Sequence, residues 1–195
     1  MSASLLDKEI VEKVKELAQQ NSLDINGAKL RRSSSRFCLG VEHGDYNGTE
    51  LFGVGTDRFI WLTYKPNGTN QVRLFSGNFP DDGVIEFKIG DVPQPKSTEI
   101  ADTWGRFPYG VDFILEREGY KLKYGIDGVL YGNIPGGGMS RSASLSLNLI
   151  LSLCDANAIE IENKMTIVDL AQAVENDYIG SPCGKLDQTM ILFSR

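Results

Sequence analysis

Ile134-Pro-Gly-Gly-Gly-Met-Ser-Arg-Ser-Ala-Ser-Leu145 decides how this chain is read. Three consecutive glycines free the backbone for dihedrals that other residues avoid. Ser140, Ser142 and Ser144 then open an apolar run, Leu145 to Leu153, that predicts a buried helix. A glycine loop entering a helix leaves the first N–H groups unpaired beside the positive end of the helix dipole. That arrangement is a ready anion site, most often for phosphate. Arg141 adds a cation able to grip phosphate bidentately. Taken alone, the stretch also fits a plain Gly/Ser linker ahead of a core helix, because glycine-rich patterns recur without function.

The rest of the chain narrows the classes. At 195 residues and 41% apolar composition it has material for a sizeable core in one or two domains. A net charge of −6 argues against free nucleic acid as a partner, while leaving room for a local basic pocket that holds a nucleotide. Cys38, Cys154 and Cys183 are odd in number and widely spaced, which suits neither a disulfide framework nor a zinc site. Met1-Ser-Ala-Ser-Leu-Leu-Asp7 has no basic leader, and no run is long enough to span a bilayer. These features predict a soluble cytoplasmic protein with no membrane partner. Asn47-Gly-Thr and Asn67-Gly-Thr read as turns rather than glycosylation sites.

Taken in order, residues 4–20 predict an amphipathic helix with Leu6, Ile10, Val14 and Leu17 on one stripe, capped by Ser4 or Asp7. Residues 22–35 read as a polar loop ending in Arg31-Arg-Ser-Ser-Ser35, and Phe37 to Val41 as a short strand. Four β segments follow, at Leu51–Val54, Arg58–Tyr64, Gln71–Phe75 and Val84–Phe87, separated by Pro66-Asn-Gly and Pro80-Asp-Asp-Gly turns. Thr98 to Glu116 suggests a helix burying Trp104, Phe107, Val111, Phe113 and Ile114. Tyr120–Asp127 and Val129–Ile134 read as two strands leading into the glycine loop. Thr166–Asn176 predicts a helix, and Cys183-Gly-Lys-Leu-Asp-Gln-Thr189 a turn that presents Asp187 before the apolar run Met190–Phe193.

Glu42, His43 and Asp45 sit together at the end of a predicted strand, and His43 is the only histidine in the chain. Read without further context, that histidine suits a turn, Asp187 a cap, and Glu175 a solvated helix face. Arg36-x-x-x-x-x-Glu42-His-Gly-Asp-Tyr-Asn-Gly48, however, resembles the sugar-binding signature of galactokinases. Residues 134–145 resemble the second motif of the wider galacto-, homoserine, mevalonate and phosphomevalonate (GHMP) kinase superfamily, and Glu175 through Gln188 resembles the galactokinase segment Glu-x-x-x-x-Gly-x-x-Cys-Gly-Ile-Met-Asp-Gln. The three motifs occur in the family's order and spacing, and the resemblance runs from about residue 30 onward.

The resemblance implies an α+β fold, the N-terminal domain of a GHMP kinase, with a mixed sheet and helices packed on it. It assigns residues 1–25 to an N-terminal helix and lead-in and 26–195 to the galactokinase-like domain, the family's C-terminal domain being absent from the chain. It implies ATP-dependent phosphorylation of the anomeric hydroxyl of a galactose-like monosaccharide, with Mg2+ as cofactor and the C-terminal half as partner. By position, Glu42, His43 and Asp45 would bond the sugar hydroxyls and Gly184 would let the backbone approach the sugar. Asp187 would act as base or positioner beside the anomeric hydroxyl, with Arg36 offsetting phosphoryl charge. Gly136, Gly137, Gly138, Met139, Ser140 and Arg141 would cradle the ATP phosphates, and Ser142 and Glu175 would hold magnesium through oxygen. A catalytically inactive sugar and ATP sensor on the same fold is the alternative. Serines precede Arg36, Gly44 stands for a threonine, Arg141 for the middle serine and Lys185 for an apolar residue. The last two place added positive charge near the expected phosphates.

Overall fold

The computed structural model describes residues 5–40, 44–50, 52–135 and 138–194. A helix, α1 (Leu5–Gln20), is followed by strand β1 (Lys29–Gly40), a short 3-10 turn at Asp45–Asn47, and strand β2 (Phe52–Pro66). Strands β3 (Gln71–Ser76) and β4 (Val84–Lys88), helix α2 (Arg106–Arg117) and strand β5 (Ile126–Gly132) come next. Helices α3 (Arg141–Ala156) and α4 (Lys164–Ala173), a π-helical turn (Val174–Ile179) and helix α5 (Leu186–Phe193) complete it. The sheet order is β1-β2-β5-β3-β4, antiparallel throughout except for the β3–β5 pair.

Period-two alternation sends the two faces of the sheet to two cores. Ile60, Leu62 and Tyr64 of β2, with Leu74 and Leu130, face the cluster built by α2, α3 and α4. Trp61, Phe75 and Val129 point the other way and are covered by Ile10, Val14 and Ala18 of α1. Burying each such large side chain stabilises the fold by about 1.5–3 kcal/mol, which is why α1 is held on the sheet despite its polar outer face. Asp7, in the first turn of that helix, fastens it to the sheet by accepting from the Trp61 indole N–H at 3.0 Å and from Arg32 at 3.1 Å. Ser4 and the side chain of Leu6 lie outside the described residues.

Several segment boundaries differ from those the sequence predicts. Residues 29–35 belong to strand β1, not to a loop. Their inward face is polar because it meets a polar stripe on α3: Ser33 Oγ lies 2.8 Å from Ser144 Oγ and accepts from Asn148 Nδ2 at 3.1 Å. Buried polar pairing thus hides the strand from hydrophobic periodicity. The segments at 51–54 and 58–64 are one strand from Phe52 onward, with an irregularity in pairing between Ser34 and Arg36. Residues 120–125 are not a strand. The N–H groups of Lys123 and Tyr124 donate to the Asn157 side chain at 2.7 and 2.8 Å, which removes them from any ladder. In the 98–116 region a 3-10 turn at Thr98–Ile100 precedes an α-helix that starts at Arg106, and Asp187 lies in the first turn of α5 rather than in a turn.

Two contacts fix where α2 sits. Gly110 lets α2 approach the π-helical turn, since a Cβ there would fall 2.8 Å from the Tyr178 ring. Asp112, buried on the same helix, accepts from the Gly90 N–H at 2.8 Å. Burial pushes its carboxyl up from 3.8 to about 6, with the Gly90 N–H opposing and Glu116 adding like charge. The folded state therefore holds a proton between about pH 4 and 6 that the unfolded chain has lost, so this group makes stability fall as pH rises through that window. Each step of one in pKa is worth about 1.4 kcal/mol. Asp112→Asn is expected to raise stability at pH 7 by about 1–2 kcal/mol, after about 1 kcal/mol is lost to an unpartnered amide N–H. Urea denaturation at pH 4 and pH 7 checks it: the gain at pH 7 shrinks toward pH 4.

Candidate active site

The glycine loop reaches α3 through a strained step. Gly138 adopts φ 71, and Ser140, at the N-cap of α3, sits in the left-handed region at φ 55 and ψ 42. A non-glycine residue held there costs about 1–3 kcal/mol and is typical of functional turns. The Ser140 side chain makes no capping bond, and its buried hydroxyl has no partner among the described residues. A buried hydroxyl left open at a helix N-terminus suits an anion arriving from outside. Arg141 stacks on Phe79, its guanidinium 5.2 Å from the ring centroid. Gly136 and Gly137 lie outside the described residues.

Arg36 joins three parts of the chain. From β1 its Nε and Nη2 donate to Asp187 Oδ1 at 2.7 and 2.6 Å, and its Nη1 donates to the Gly138 carbonyl at 3.1 Å. The arginine side chain is only 9% exposed, against 27% for Asp187, so the pair is protected on the protein side and open on the acid's side. Charge-assisted bonds of this length hold the carboxylate in one orientation. The loop and Asp187 are therefore on one wall.

Asp45, in the 3-10 turn, accepts from the Leu186 N–H at 2.9 Å and so caps the helix that carries Asp187. Its carboxylate occupies the space a side chain at residue 184 would need, since a Cβ on Gly184 would fall 1.7 Å from Asp45 Oδ2. Gly184 thus admits the Asp45 carboxylate to the backbone. Glu42 and His43, expected beside it, lie outside the described residues.

Ser142 and Glu175 meet across α3 and the π-helical turn, which widens the helix by one residue as such turns often do at functional sites. Burial raises the Glu175 carboxyl above its ordinary range; the Ser142 hydroxyl bond opposes, the charge of Asp187 adds to the rise, and a Gln188 bond opposes again. Gln188 Nε2 donates to Glu175 Oε1 at 3.0 Å. A buried carboxylate served only by neutral donors, beside a hydroxyl oxygen, is a donor set that fits a hard divalent cation such as Mg2+, completed by phosphate and water oxygens. No group of three or more His, Cys, Asp or Glu able to hold a metal occurs among the described residues. Burial and the nearby Glu175 push the Cys183 thiol up to about 11, which leaves no thiolate for chemistry. Lys185 pairs with Asp169 at 2.6 Å, so only Arg141 of the two added cations faces the loop.

A cleft of about 630 Å3 opens beside this wall, lined by Gly138 to Ser142, Arg36 and Asp187 together with the aromatic Phe79, Trp104 and Phe107. Sequence reading missed the aromatic part of the lining. Asp82 organises it by accepting from Thr103 Oγ1 at 2.8 Å and the Trp104 N–H at 3.0 Å, and the buried Trp104 Nε1 has no partner among the described residues. Pro80-Asp-Asp-Gly83 carried only a turn signal, and nothing local connects it to Trp104.

Residues 108–195 match the family described as the GHMP kinases N terminal domain. The chain is 34% identical over 151 residues to a galactokinase of Bacillus subtilis, covering 77% of this chain and 37% of that protein. It is 37% identical over 162 residues to a galactokinase of Lactococcus lactis subsp. cremoris, covering 83% of this chain and 39% of that protein. A crystal structure of Lactococcus lactis galactokinase complexed with galactose superposes with a TM-score of 0.86 at 30% identity, covering 95% of this chain and 47% of that one. The chain therefore spans less than half the length of these relatives. In sequence over residues 108–195 and in fold over nearly the whole chain, it resembles the N-terminal domain of GHMP kinases of the galactokinase type.

Proposed function

We propose that this chain supplies the N-terminal half of an ATP-dependent kinase that phosphorylates the anomeric hydroxyl of a galactose-like monosaccharide, with a second domain of the family completing the site. The observation that carries it is Arg36, which binds Asp187 and the glycine-loop carbonyl of Gly138 at once. One side chain thereby sets the distance between the group facing the sugar and the loop facing the phosphates. Asp187 receives or orients the anomeric hydroxyl proton, and Arg36 offsets charge growing on the transferred phosphoryl group. In phosphoryl transfer, positioning and charge stabilisation are most of the catalysis.

Glu42, His43 and Asp45 read the sugar hydroxyls in this scheme. Gly136 to Ser140 present backbone N–H groups to the phosphates, and the cleft lined by Trp104 and Phe107 takes the rest of the nucleotide. Ser142 and Glu175 hold Mg2+, which when bound neutralises phosphate charge. The test uses the full-length protein with ATP, Mg2+ and a panel of sugars led by galactose, following ADP release and identifying the product by phosphorus NMR. A sugar 1-phosphate is the expected product; ATP binding with no ADP release on any sugar would overturn the scheme.

Arg141→Ser separates two effects on the nucleotide. A charged hydrogen bond to phosphate contributes about 1.5–3 kcal/mol, while the stacking on Phe79 that it replaces is worth about 0.5–1 kcal/mol. The difference favours phosphate by about 1 kcal/mol, so the variant is expected to bind Mg·ATP about fivefold more weakly with sugar affinity unchanged. Calorimetric titration of both ligands checks it.

A further inference from the structure

We infer that Gln188 is a positioning residue for the proposed metal ligand Glu175, and that through it metal loading and the placement of Asp187 are coupled; the inference rests on the kinase reading above. Gln188 is fully buried on α5, immediately after Asp187. Its amide N–H donates to Glu175 Oε1 at 3.0 Å and lies 3.5 Å from Cys183 Sγ. Because an ionised carboxylate only accepts, this contact fixes which end of the amide faces Glu175.

The other end is left without a partner: Gln188 Oε1 is buried and makes no hydrogen bond among the described residues. Leaving an acceptor unsatisfied in the interior is costly, and an apolar side chain of the same length would avoid it. The amide is therefore explained by what its N–H does, not by packing. That N–H and the Ser142 hydroxyl approach the Glu175 carboxylate from different helices, and no cation pairs with Glu175 among the described residues. The Gln188 N–H orients the carboxylate without neutralising it, which is the arrangement a metal-binding carboxylate needs. Since Gln188 and Asp187 are adjacent on one short helix, a shift of Glu175 on metal binding is transmitted to the helix that faces the sugar.

The experiment compares full-length wild type with Gln188→Met, which keeps length and loses the donor, and Gln188→Asn, which keeps the amide one methylene short. ATP affinity is measured by calorimetry with and without Mg2+, and Mn2+ binding in the presence of ATP by electron paramagnetic resonance. In both variants Mn2+ affinity and the enhancement of ATP affinity by Mg2+ are expected to fall about tenfold or more, with metal-free ATP affinity unchanged and the Gln188→Met protein still melting cooperatively. Unchanged metal dependence in a folded Gln188→Met protein overturns the inference. So does loss of the fold in both variants, which would make Gln188 a packing residue. Wild-type ATP affinity indifferent to Mg2+ would instead overturn the metal reading itself, and the role of Gln188 with it.

Discussion

If the proposed kinase reaction runs through Asp187, Asp187→Ala is expected to lower kcat of the full-length protein by about 10³-fold or more, within the range for removing a positioned acid–base group together with its orienting effect. The same change has a structural cost. Arg36 is 9% exposed and its Nε and Nη2 both donate to Asp187 Oδ1, so alanine removes a carboxylate partner from a nearly buried guanidinium. Breaking one side of a buried pair costs about 3–5 kcal/mol; here the cost is at the low end or below it, because Asp187 itself reaches solvent and Arg36 keeps its bond to the Gly138 carbonyl. Asp187→Asn separates the two effects: its amide oxygen still accepts from Arg36, which preserves the fold, while the carboxylate is gone. Both variants are expected to lose turnover, and only the alanine variant to lose several degrees in Tm. Sugar affinity is expected to survive in Asp187→Asn, because the residues proposed to read the sugar hydroxyls, Glu42, His43 and Asp45, are more than 140 residues away in the chain. Steady-state kinetics with calorimetric sugar binding decides it, and an asparagine enzyme turning over at the parental rate would remove Asp187 from the reaction.

Gly184→Ala is expected to abolish measurable sugar binding while leaving ATP affinity within about twofold. An added Cβ would lie 1.7 Å from Asp45 Oδ2 and 2.1 Å from its carboxyl carbon, distances no real Cβ shows. Either Asp45 leaves or the 183–186 backbone moves. Overpacking costs about 1–3 kcal/mol, and loss of the Asp45 cap on Leu186 adds about 1 kcal/mol. The Asp45 turn is expected to move, because it is a three-residue 3-10 element, whereas Cys183 is held by Asn176 and Gln172. Since the other proposed sugar readers, Glu42 and His43, lie within three residues of Asp45 in the sequence, sugar affinity is expected to fall by more than 100-fold. Asp45→Ala tests the same contact from the other side: it relieves the clash, so the double variant regains stability relative to Gly184→Ala without regaining sugar binding. Calorimetry with galactose and with ATP, alongside thermal melts, checks both statements. Parental sugar affinity in Gly184→Ala would show that the Asp45 carboxylate does not need that space.

Much of this was legible locally. The glycine run before an apolar stretch foretold a loop and a buried helix, and α3 begins at Arg141 with Leu147, Leu149, Ile150 and Leu153 inside. Alternation in β2 and β3 marked strands correctly in kind. Reading failed where a side chain's partner is distant. Ser33 looks like loop because its hydrogen-bond partners are 111 and 115 residues away. Residues 120–124 look like strand because nothing nearby reveals that Asn157 takes the N–H groups of Lys123 and Tyr124.

Sequence by itself determined the chemistry that is available: which carboxylates, hydroxyls and cations the chain owns, their order, and the backbone freedom at the glycines. Only the tertiary structure decided which of them meet. Arg36 and Asp187 are 151 residues apart and Asp45 and Leu186 are 141 apart, and no periodicity encodes such pairs. The physical reason is that sheet pairing and helix packing, driven by apolar burial on both faces of the sheet, carry these polar groups together as passengers. Lys185 makes the same point in reverse, since its charge reads as a phosphate contact along the chain and is spent on Asp169 in space.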